Sequence, residues 1–272
     1  MINIVIPMAG EGSRFREKGY NTPKPFIPVL GVPMIKSVIQ NITPIEDSQV
    51  FLIARSDHSE MVERIAASMD NVYIIYLNEV TQGAACTVLA AERYINNNDP
   101  LIIANSDQLV VWNHKSRSEK IHHGYTTNLW HKENNVVQDF INRARIDLAS
   151  GSIATFKSTQ EKWSYVRSEY DCWGVPLVKE VAEKKVISDN ATCGIYYYAS
   201  GRLFCEAAKK MITADERTKG EFYVCPVYNR IINDNPTLRI THYPVAKMYG
   251  LGTPEDYELF ICGMADEFMR AQ

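Results

Sequence analysis

The sequence predicts an α/β fold, a three-layer sandwich around a mostly parallel mixed sheet. Three observations predict it. Ile2, Ile4, Val5 and Ile6 form a short apolar run with a β-branched bias, the mark of a buried strand. A loop carrying Gly10 and Gly12 follows at once, as at the turn from a strand into a helix. Strand-like and helix-like patterns then alternate to about residue 110, which argues a parallel sheet covered on both faces.

In order along the chain, Met34, Ile35, Val38, Ile39 and Ile42 recur at helical spacing, and Pro44 ends that segment. Residues 49–54 read as a strand. Residues 59–69 read as a helix with Met61, Val62, Ile65 and Met69 on its apolar face. Residues 71–77 form the next strand, and residues 83–95 a helix that buries Ala84, Val88, Ala91 and Ile95. Residues 101–104 are a strand that runs into Asn105-Ser106-Asp107. Residues 110–135 are polar, with Trp112, Trp130, His114, His122, His123 and His131, and read as a loop-and-helix excursion over a cleft. Residues 134–149 read as an amphipathic helix with Val137, Phe140, Ile141, Ala144 and Leu148 on one face.

Beyond it the pattern changes. Residues 153–156 are a strand, and residues 165–182 a hairpin turning at Tyr170-Asp171-Cys172. Residues 193–199 are a further strand. Residues 202–212 and 222–232 read as helices, 238–244 and 246–249 as strands, and 254–269 as a closing helix. No linker, repeat or low-complexity stretch divides the chain. A single domain over 1–272 is expected, with a nucleotide-binding half to about residue 110 and an acceptor-binding half from about 111.

The totals exclude several classes. At 272 residues the chain can bury a sizeable core, and 46% apolar with 22% charged residues fits an ordinary globular protein. A net charge of −3 gives no general pull toward nucleic acid or anionic membrane. No apolar run has the length of a membrane span, and the chain opens directly on a strand, so a cytoplasmic protein without a signal peptide is expected. Six cysteines without a Cys-x-x-Cys pair read as free thiols, mostly in the core. The four histidines of residues 114–131 lack partners at metal-ligand spacing and read as a solvated stretch.

The first loop carries the chemistry. Successive amide N–H groups in a glycine-rich loop cradle anionic oxygens, and Arg14 and Lys24 add two cations close by. This is a polyphosphate site at the end of the first strand. It lacks the Gly-Lys-Ser/Thr of a P-loop, and Phe15 stands where the dinucleotide fingerprint needs its third glycine. In open α/β sheets a ligand sits beyond the carboxyl ends of the strands, so Asp107 and the Gly10 loop can share one cleft.

Taken together, Gly10-x-Gly12-Ser13-Arg14 after an apolar strand and Pro23-Lys24-Pro25 some ten residues on resemble the sugar-phosphate nucleotidyltransferases, the nucleotide-sugar pyrophosphorylase superfamily. The resemblance implies a Rossmann-like fold of nucleotidyltransferase type. It implies attack of a phosphomonoester oxygen on the α-phosphorus of a nucleoside triphosphate, with release of pyrophosphate. Such chemistry asks mainly for alignment and charge stabilisation. The acceptor is a sugar 1-phosphate or a similar phosphoalcohol, and the family-level setting is surface polysaccharide biosynthesis. Nucleic acid and membrane are not expected partners, and a homo-oligomer is left open.

The resemblance also assigns roles. Arg14, Lys24 and Asp107 are the expected catalytic residues. Arg14 steadies the β- and γ-phosphates with its forked donors, and Lys24, held between two prolines, lies near the α-phosphate. Asp107 is the expected ligand of Mg²⁺, which takes one or two carboxylates plus phosphate oxygens. Ala9, Gly10, Gly12, Ser13, Gln82 and Gly83 are the expected nucleotide-binding residues, with Gln82 bonded to a pyrimidine edge. Trp163, Tyr165, Glu183, Lys184 and Gly194 are the expected acceptor-binding residues. Glu183 holds hydroxyls and Lys184 the phosphate.

One departure is plain. Residues 249–256 resemble the family's Trp-x-Asp-x-Gly-Thr-Pro-Glu-Asp ending, but Gly250 stands where that ending has its second metal-binding aspartate. Three alternatives stay open: cytidylyl transfer to a non-sugar phosphoalcohol, suggested by a pocket with Trp163, Tyr165 and no aspartate at 250; a glycosyltransferase on a related sheet, which would lack an Asp-x-Asp motif after the fourth strand and leave Pro-Lys-Pro unexplained; and a nucleotide-binding relative with weak or no turnover, which Gly250 motivates. Asp256 suits the first turn of the closing helix.

Overall fold

The computed structural model describes residues 1–112 and 137–271. The excursion read from residues 110–135, with Trp130 and the four histidines, lies outside the described residues from 113 on.

The first half runs β1 (Ile2–Pro7), α1 (Ser13–Glu17), a small flap of β2 (Pro28–Val29) and β3 (Val32–Pro33), then α2 (Met34–Ile42), β4 (Ser48–Arg55) and α3 (Ser59–Ala66). It continues through β5 (Val72–Leu77), α4 (Ala84–Leu89), α5 (Glu92–Ile95), β6 (Leu101–Ala104) and β7 (Gln108–Val111). The second half runs α6 (Val137–Ile146), β8 (Gly151–Lys157), β9 (Ser164–Tyr170), β10 (Pro176–Glu183), β11 (Asn190–Tyr198), α7 (Gly201–Thr213) and α8 (Val227–Asp234). It closes with β12 (Ile240–Pro244), β13 (Lys247–Gly250), α9 (Pro254–Leu259) and α10 (Ala265–Ala271).

A nine-stranded sheet in the order β5-β4-β1-β6-β11-β8-β12-β10-β9 forms the middle layer. The strands of the first half pair in parallel, Ile4 lying opposite Val50 on one side and Ile102 on the other. β11 then enters antiparallel to both β6 and β8, so the sheet is mixed, with its parallel pairs concentrated in the first half. The period-2 alternation of side chains divides each central strand between two cores. Ile2, Ile4 and Ile6 face one cluster with α2, while Val5, Leu101 and Ile103 face the other with α7. Each large apolar side chain so buried contributes roughly 1.5–3 kcal/mol.

Several elements differ from their sequence reading. The helix expected over 83–95 breaks after Leu89, where Ala90 and Ala91 donate to the carbonyls of Thr87 and Val88 in a tight turn. The helix expected from Phe222 starts only at Val227. The Phe222 N–H and C=O are already spent on Gln82 C=O and Ala85 N–H, both at 2.9 Å. Leu148, expected on a buried face, is 79% exposed and ends the turn after α6 at positive φ. The closing helix is interrupted by a wide π turn at Phe260–Met264. β7, read from sequence as the start of the excursion, pairs antiparallel with β13 in a separate two-stranded ribbon, Gly250 opposite Gln108.

The expected thiols are free. Cys193, Cys205 and Cys225 are buried, whereas Cys172 and Cys262 are exposed. Among the described residues no helix is long and apolar enough to cross a membrane.

Candidate active site

The carboxyl ends of β1 and β6 open onto two adjoining clefts that both touch Ala84. One, of about 630 Å³, is lined by Ala9, Gly10, Gly12 and Ser13 from the first loop, and by Gln82, Gly83, Arg217 and Glu221. The other, of about 320 Å³, is lined by Arg14, Lys24 and Asp107 from the first half, with Trp163, Glu183 and Gly194 from the second.

The first loop is built around Gly12. It adopts a left-handed conformation (φ 61°), caps α1, and leaves 3.4 Å between an added Cβ and Lys24 Cβ. The loop thereby lies directly on the Pro23-Lys24-Pro25 turn. Lys24 opens a short 3₁₀ turn (Lys24–Phe26), and its ammonium donates to Asp107 Oδ2 at 2.6 Å. Arg14, on the one-turn α1, is exposed to the same cleft and has no ion-pair partner among the described residues. Its guanidinium is thus available for phosphate oxygens.

Asp107 is held from behind by the C-terminal motif. Leu251 N–H donates to the Asp107 carbonyl at 2.8 Å, and a Cβ on Gly252 would lie 2.8 Å from Asp107 Oδ2. Gly252 therefore keeps space open beside that carboxylate oxygen. At Gly250 the space is taken: an added Cβ would meet the Trp163 ring at 2.9 Å. Trp163 stands edge-on to Phe156 and beneath the Lys162 ammonium, which pairs with both carboxylate oxygens of Asp256 at 3.0 Å. Asp256 also sits in the first turn of α9, where its N–H donates to the Thr253 cap.

The inner wall comes from the second half. Glu183 accepts from Ser164 Oγ, and burial pushes its carboxyl above the usual range, against the pull of that hydrogen bond and of Lys184. Gly194, in the bulge of β11 at φ 69°, lies where any Cβ would strike Asn105 Nδ2 and Gln108 Oε1 at 2.3 Å. Gln108 is 7% exposed, and its Oε1 has no hydrogen-bond partner among the described residues. It is a buried acceptor on the cleft wall.

Two expected acceptor residues stand elsewhere. Tyr165 is fully buried and its hydroxyl donates to the Gln160 carbonyl at 2.7 Å, so it packs in the core and does not reach the cleft. Lys184 is not on the cleft wall; its ammonium bonds the Tyr223 hydroxyl, which is. Gly83 lines the first cleft, and on its other side an added Cβ would lie 2.5 Å from Phe222 N. Lys247 is paired with Glu267 on the surface. Residues on the walls that sequence reasoning missed are Asn105, Gln108, Lys162, Ser164, Tyr223 and Arg217. Gln108 had a signal in its adjacency to Asp107. Arg217, in an irregular charged stretch, had none.

Residues 4–123 match the family model described as "Nucleotidyl transferase". Among curated proteins, the bifunctional protein GlmU of Methanocaldococcus jannaschii is 26% identical over 106 residues, and that of Methanococcus maripaludis 24% over 128 residues. These matches cover 39% and 45% of this chain, which spans just 25% and 30% of those longer proteins. Among solved structures, the nucleoside-diphosphate-sugar pyrophosphorylase of Vibrio cholerae RC9 superposes with a TM-score of 0.70 at 24% identity, over 98% of this chain and 99% of that one. A UDP-glucose pyrophosphorylase complexed with UDP-glucose gives 0.70 at 17%, with all of both chains covered. The inositol-1-phosphate CTP transferase of T. maritima gives 0.66 at 12%, over 99% and 95%. At such identities the structural likeness establishes the fold. Residues 4–123 thus carry the sequence pattern of the nucleotidyl transferase family, and nearly the whole chain has the fold seen in the solved pyrophosphorylases it superposes on.

Proposed function

We propose that the protein joins a nucleoside triphosphate to a sugar 1-phosphate or similar small phosphomonoester and releases pyrophosphate. The observation that carries this reading is the pair of adjoining clefts with Arg14, Lys24 and Asp107 grouped on one wall beside the glycine loop. The triphosphate would lie over the amides of residues 9–13, with its base toward Gln82 and Arg217. The acceptor would enter the second cleft against Glu183, Gln108 and Trp163. Its phosphate oxygen then faces the α-phosphorus, opposite the leaving pyrophosphate.

Each side chain has a definable task. Arg14 neutralises the leaving phosphates through its fork of N–H donors. Lys24 is fixed by its prolines and by Asp107, so its charge is placed before substrate arrives and no reorganisation is needed during reaction. Gln108 Oε1 accepts a hydroxyl from the acceptor, which satisfies a buried oxygen that has no partner among the described residues. Glu183 accepts a second hydroxyl, and Lys184 backs Tyr223 on the same wall.

The donor set fits Mg²⁺ bound by one protein carboxylate. Asp107 offers hard oxygens beside the space that Gly252 keeps open, and phosphate oxygens would complete the shell. When bound, the ion supplies charge neutralisation between the two anionic substrates. Gly250 adds no ligand.

The test is a pyrophosphate-release screen of the common nucleoside triphosphates against a panel of phosphomonoesters, with Mg²⁺, followed by Arg14→Ala. Turnover with one pair, lowered by about a hundredfold or more in the variant, supports the assignment. Wild-type turnover in the variant removes it. Consumption of a nucleotide sugar with release of a nucleoside diphosphate identifies a glycosyltransferase instead. Tight nucleotide binding without turnover identifies a non-catalytic relative. A place in surface polysaccharide synthesis, in the cytoplasm, belongs to the same proposal and rests on the family resemblance.

A further inference from the structure

The nine-stranded sheet ends in β5 on one side and β9 on the other, and the two edges are built differently. β9 is protected. It carries Arg167, which bonds Glu180, and Glu169, which pairs with Lys179. Its register against β10 shifts between Val178 and Glu180, and Tyr165 folds it back onto Ala191 of β11. Charges, bulges and curling are the devices that keep a sheet edge from pairing with another chain. β5 has none of them. Val72-Tyr-Ile-Ile-Tyr-Leu77 carries no charge and no proline, and it pairs with β4 in unbroken register. Tyr73 and Tyr76 are 50% and 39% exposed.

The ladder fixes which groups are left over. Val50 N–H donates to the Asn71 carbonyl at 2.8 Å. In a parallel pair alternate residues turn their N–H and C=O toward the same neighbour, so Asn71, Tyr73, Ile75 and Leu77 face β4. Val72, Ile74 and Tyr76 therefore turn their N–H and C=O groups outward. Among the described residues no backbone group bonds them there. An extended strand offers donors and acceptors at this spacing.

We propose that this edge pairs antiparallel with β5 of a second copy of the chain, about a two-fold axis that passes by Ile74. The pattern of β5 itself favours a second copy over a foreign strand. In an antiparallel pair, two residues exchange both hydrogen bonds where an outward residue faces an outward residue. With the axis at Ile74, that residue faces its own symmetry mate, and Val72 faces Tyr76 of the second copy. Every outward N–H and C=O of both strands is then used. Between these pairs Tyr73 faces Ile75 of the second copy, and aromatic–β-branched pairs stabilise a sheet. The flanking acids stay apart, because Asp70 comes beside Asn78 of the second copy and not beside Glu79. The carboxyl ends of the two strands point in opposite directions. Each copy therefore keeps its own clefts complete, and residues 78–81, which run from β5 to the wall of the first cleft, lie against the second copy.

The test is light scattering on the full chain as it elutes from a sizing column, with hydrogen exchange resolved to single amides at high and low protein concentration. A particle of twice the chain's mass is expected. In it the amides of Val72, Ile74 and Tyr76 exchange about a hundredfold or more slowly than in the diluted monomer, while those of Tyr73, Ile75 and Leu77 are protected in both. Tyr73→Lys places a protecting charge on the edge, and the dissociation constant is expected to rise by about tenfold or more with an unchanged circular dichroism spectrum. Should that variant fail to fold, the exchange pattern of the wild type decides alone. A monomer at every concentration overturns the inference. So does a dimer in which the three outward amides exchange freely, which would join the copies elsewhere. Protection of those amides that does not change on dilution overturns it as well, since the chain would then cover its own edge.

Discussion

Lys24 Nζ donates to Asp107 Oδ2 at 2.6 Å, with both side chains 19% exposed. The contact ties the turn after the first loop to the end of β6, across 83 residues of sequence. It places a cation and a carboxylate side by side where two polyanionic substrates would meet.

Removing either partner leaves the other half-desolvated and unpaired. Lys24→Met and Asp107→Asn are each expected to cost about 1–3 kcal/mol of stability. Because they share one contact, the double variant should cost less than the sum of the two, as urea denaturation would measure. Turnover should not recover with stability. It is expected to stay down by about a hundredfold or more in all three variants. An additive cycle, or a double variant with restored pyrophosphate release, contradicts the role given to this pair.

Gly250 and Trp163 form a second coupled pair. Gly250→Asp would restore the side chain of the family's ending, yet its Cβ would meet the Trp163 ring at 2.9 Å. The single change is expected to lower stability by about 1–3 kcal/mol, as overpacking does. Trp163→Ala in the same chain should relieve most of that cost. Thermal melts of the two single variants and the double variant read the coupling, and equal losses with and without Trp163 would disprove it.

The glycines of the site are not equivalent. Gly194→Ala combines positive φ with a Cβ 2.3 Å from Asn105 and Gln108, and roughly 2–4 kcal/mol of destabilisation is expected. Gly10→Ala meets nothing within 4 Å, so its fold should be unaffected. If phosphates approach the loop backbone as proposed, triphosphate affinity should drop in Gly10→Ala all the same. Normal affinity in that variant would move the phosphates away from the loop.

His242 gives the stability a pH dependence. Its ring nitrogens contact Thr155 Oγ1 at 3.1 Å and Ser168 Oγ at 3.0 Å. Burial, helped by the Lys157 charge and opposed by Asp189, lowers its pKa from 6.5 to about 4. The unfolded chain therefore binds the proton more readily between these values. The contribution is present above about pH 6.5 and is lost as pH falls toward 4, up to about 3 kcal/mol. Denaturation between pH 7 and 4.5 should show a steeper loss in the wild type than in His242→Asn. Parallel slopes would refute the assignment.

The sequence by itself determined the first half of the fold, because its strands and helices are set by local periodicity and by one dominant core. Ile2 to Ile6 alternate between two apolar clusters, and no other register would bury both sets. The first glycine loop was legible for the same reason: Gly12 and Lys24 lie twelve residues apart and meet through local chain geometry. The tertiary structure alone decided the rest of the site. Phe222 sits in a sequence that reads as helix, but its backbone groups bond Gln82 and Ala85 instead, and this carries Arg217 to the cleft beside the first loop. Tyr165 reads as a pocket aromatic until the sheet buries it and Gln160 takes its hydroxyl. Gly250 reads as a missing ligand until Trp163 is seen to fill its place. The pairings of Gln82 with Arg217 and Phe222 and of Gly250 with Trp163 join residues 87 to 140 positions apart, and the free energy that selects them comes from contacts that no local pattern encodes.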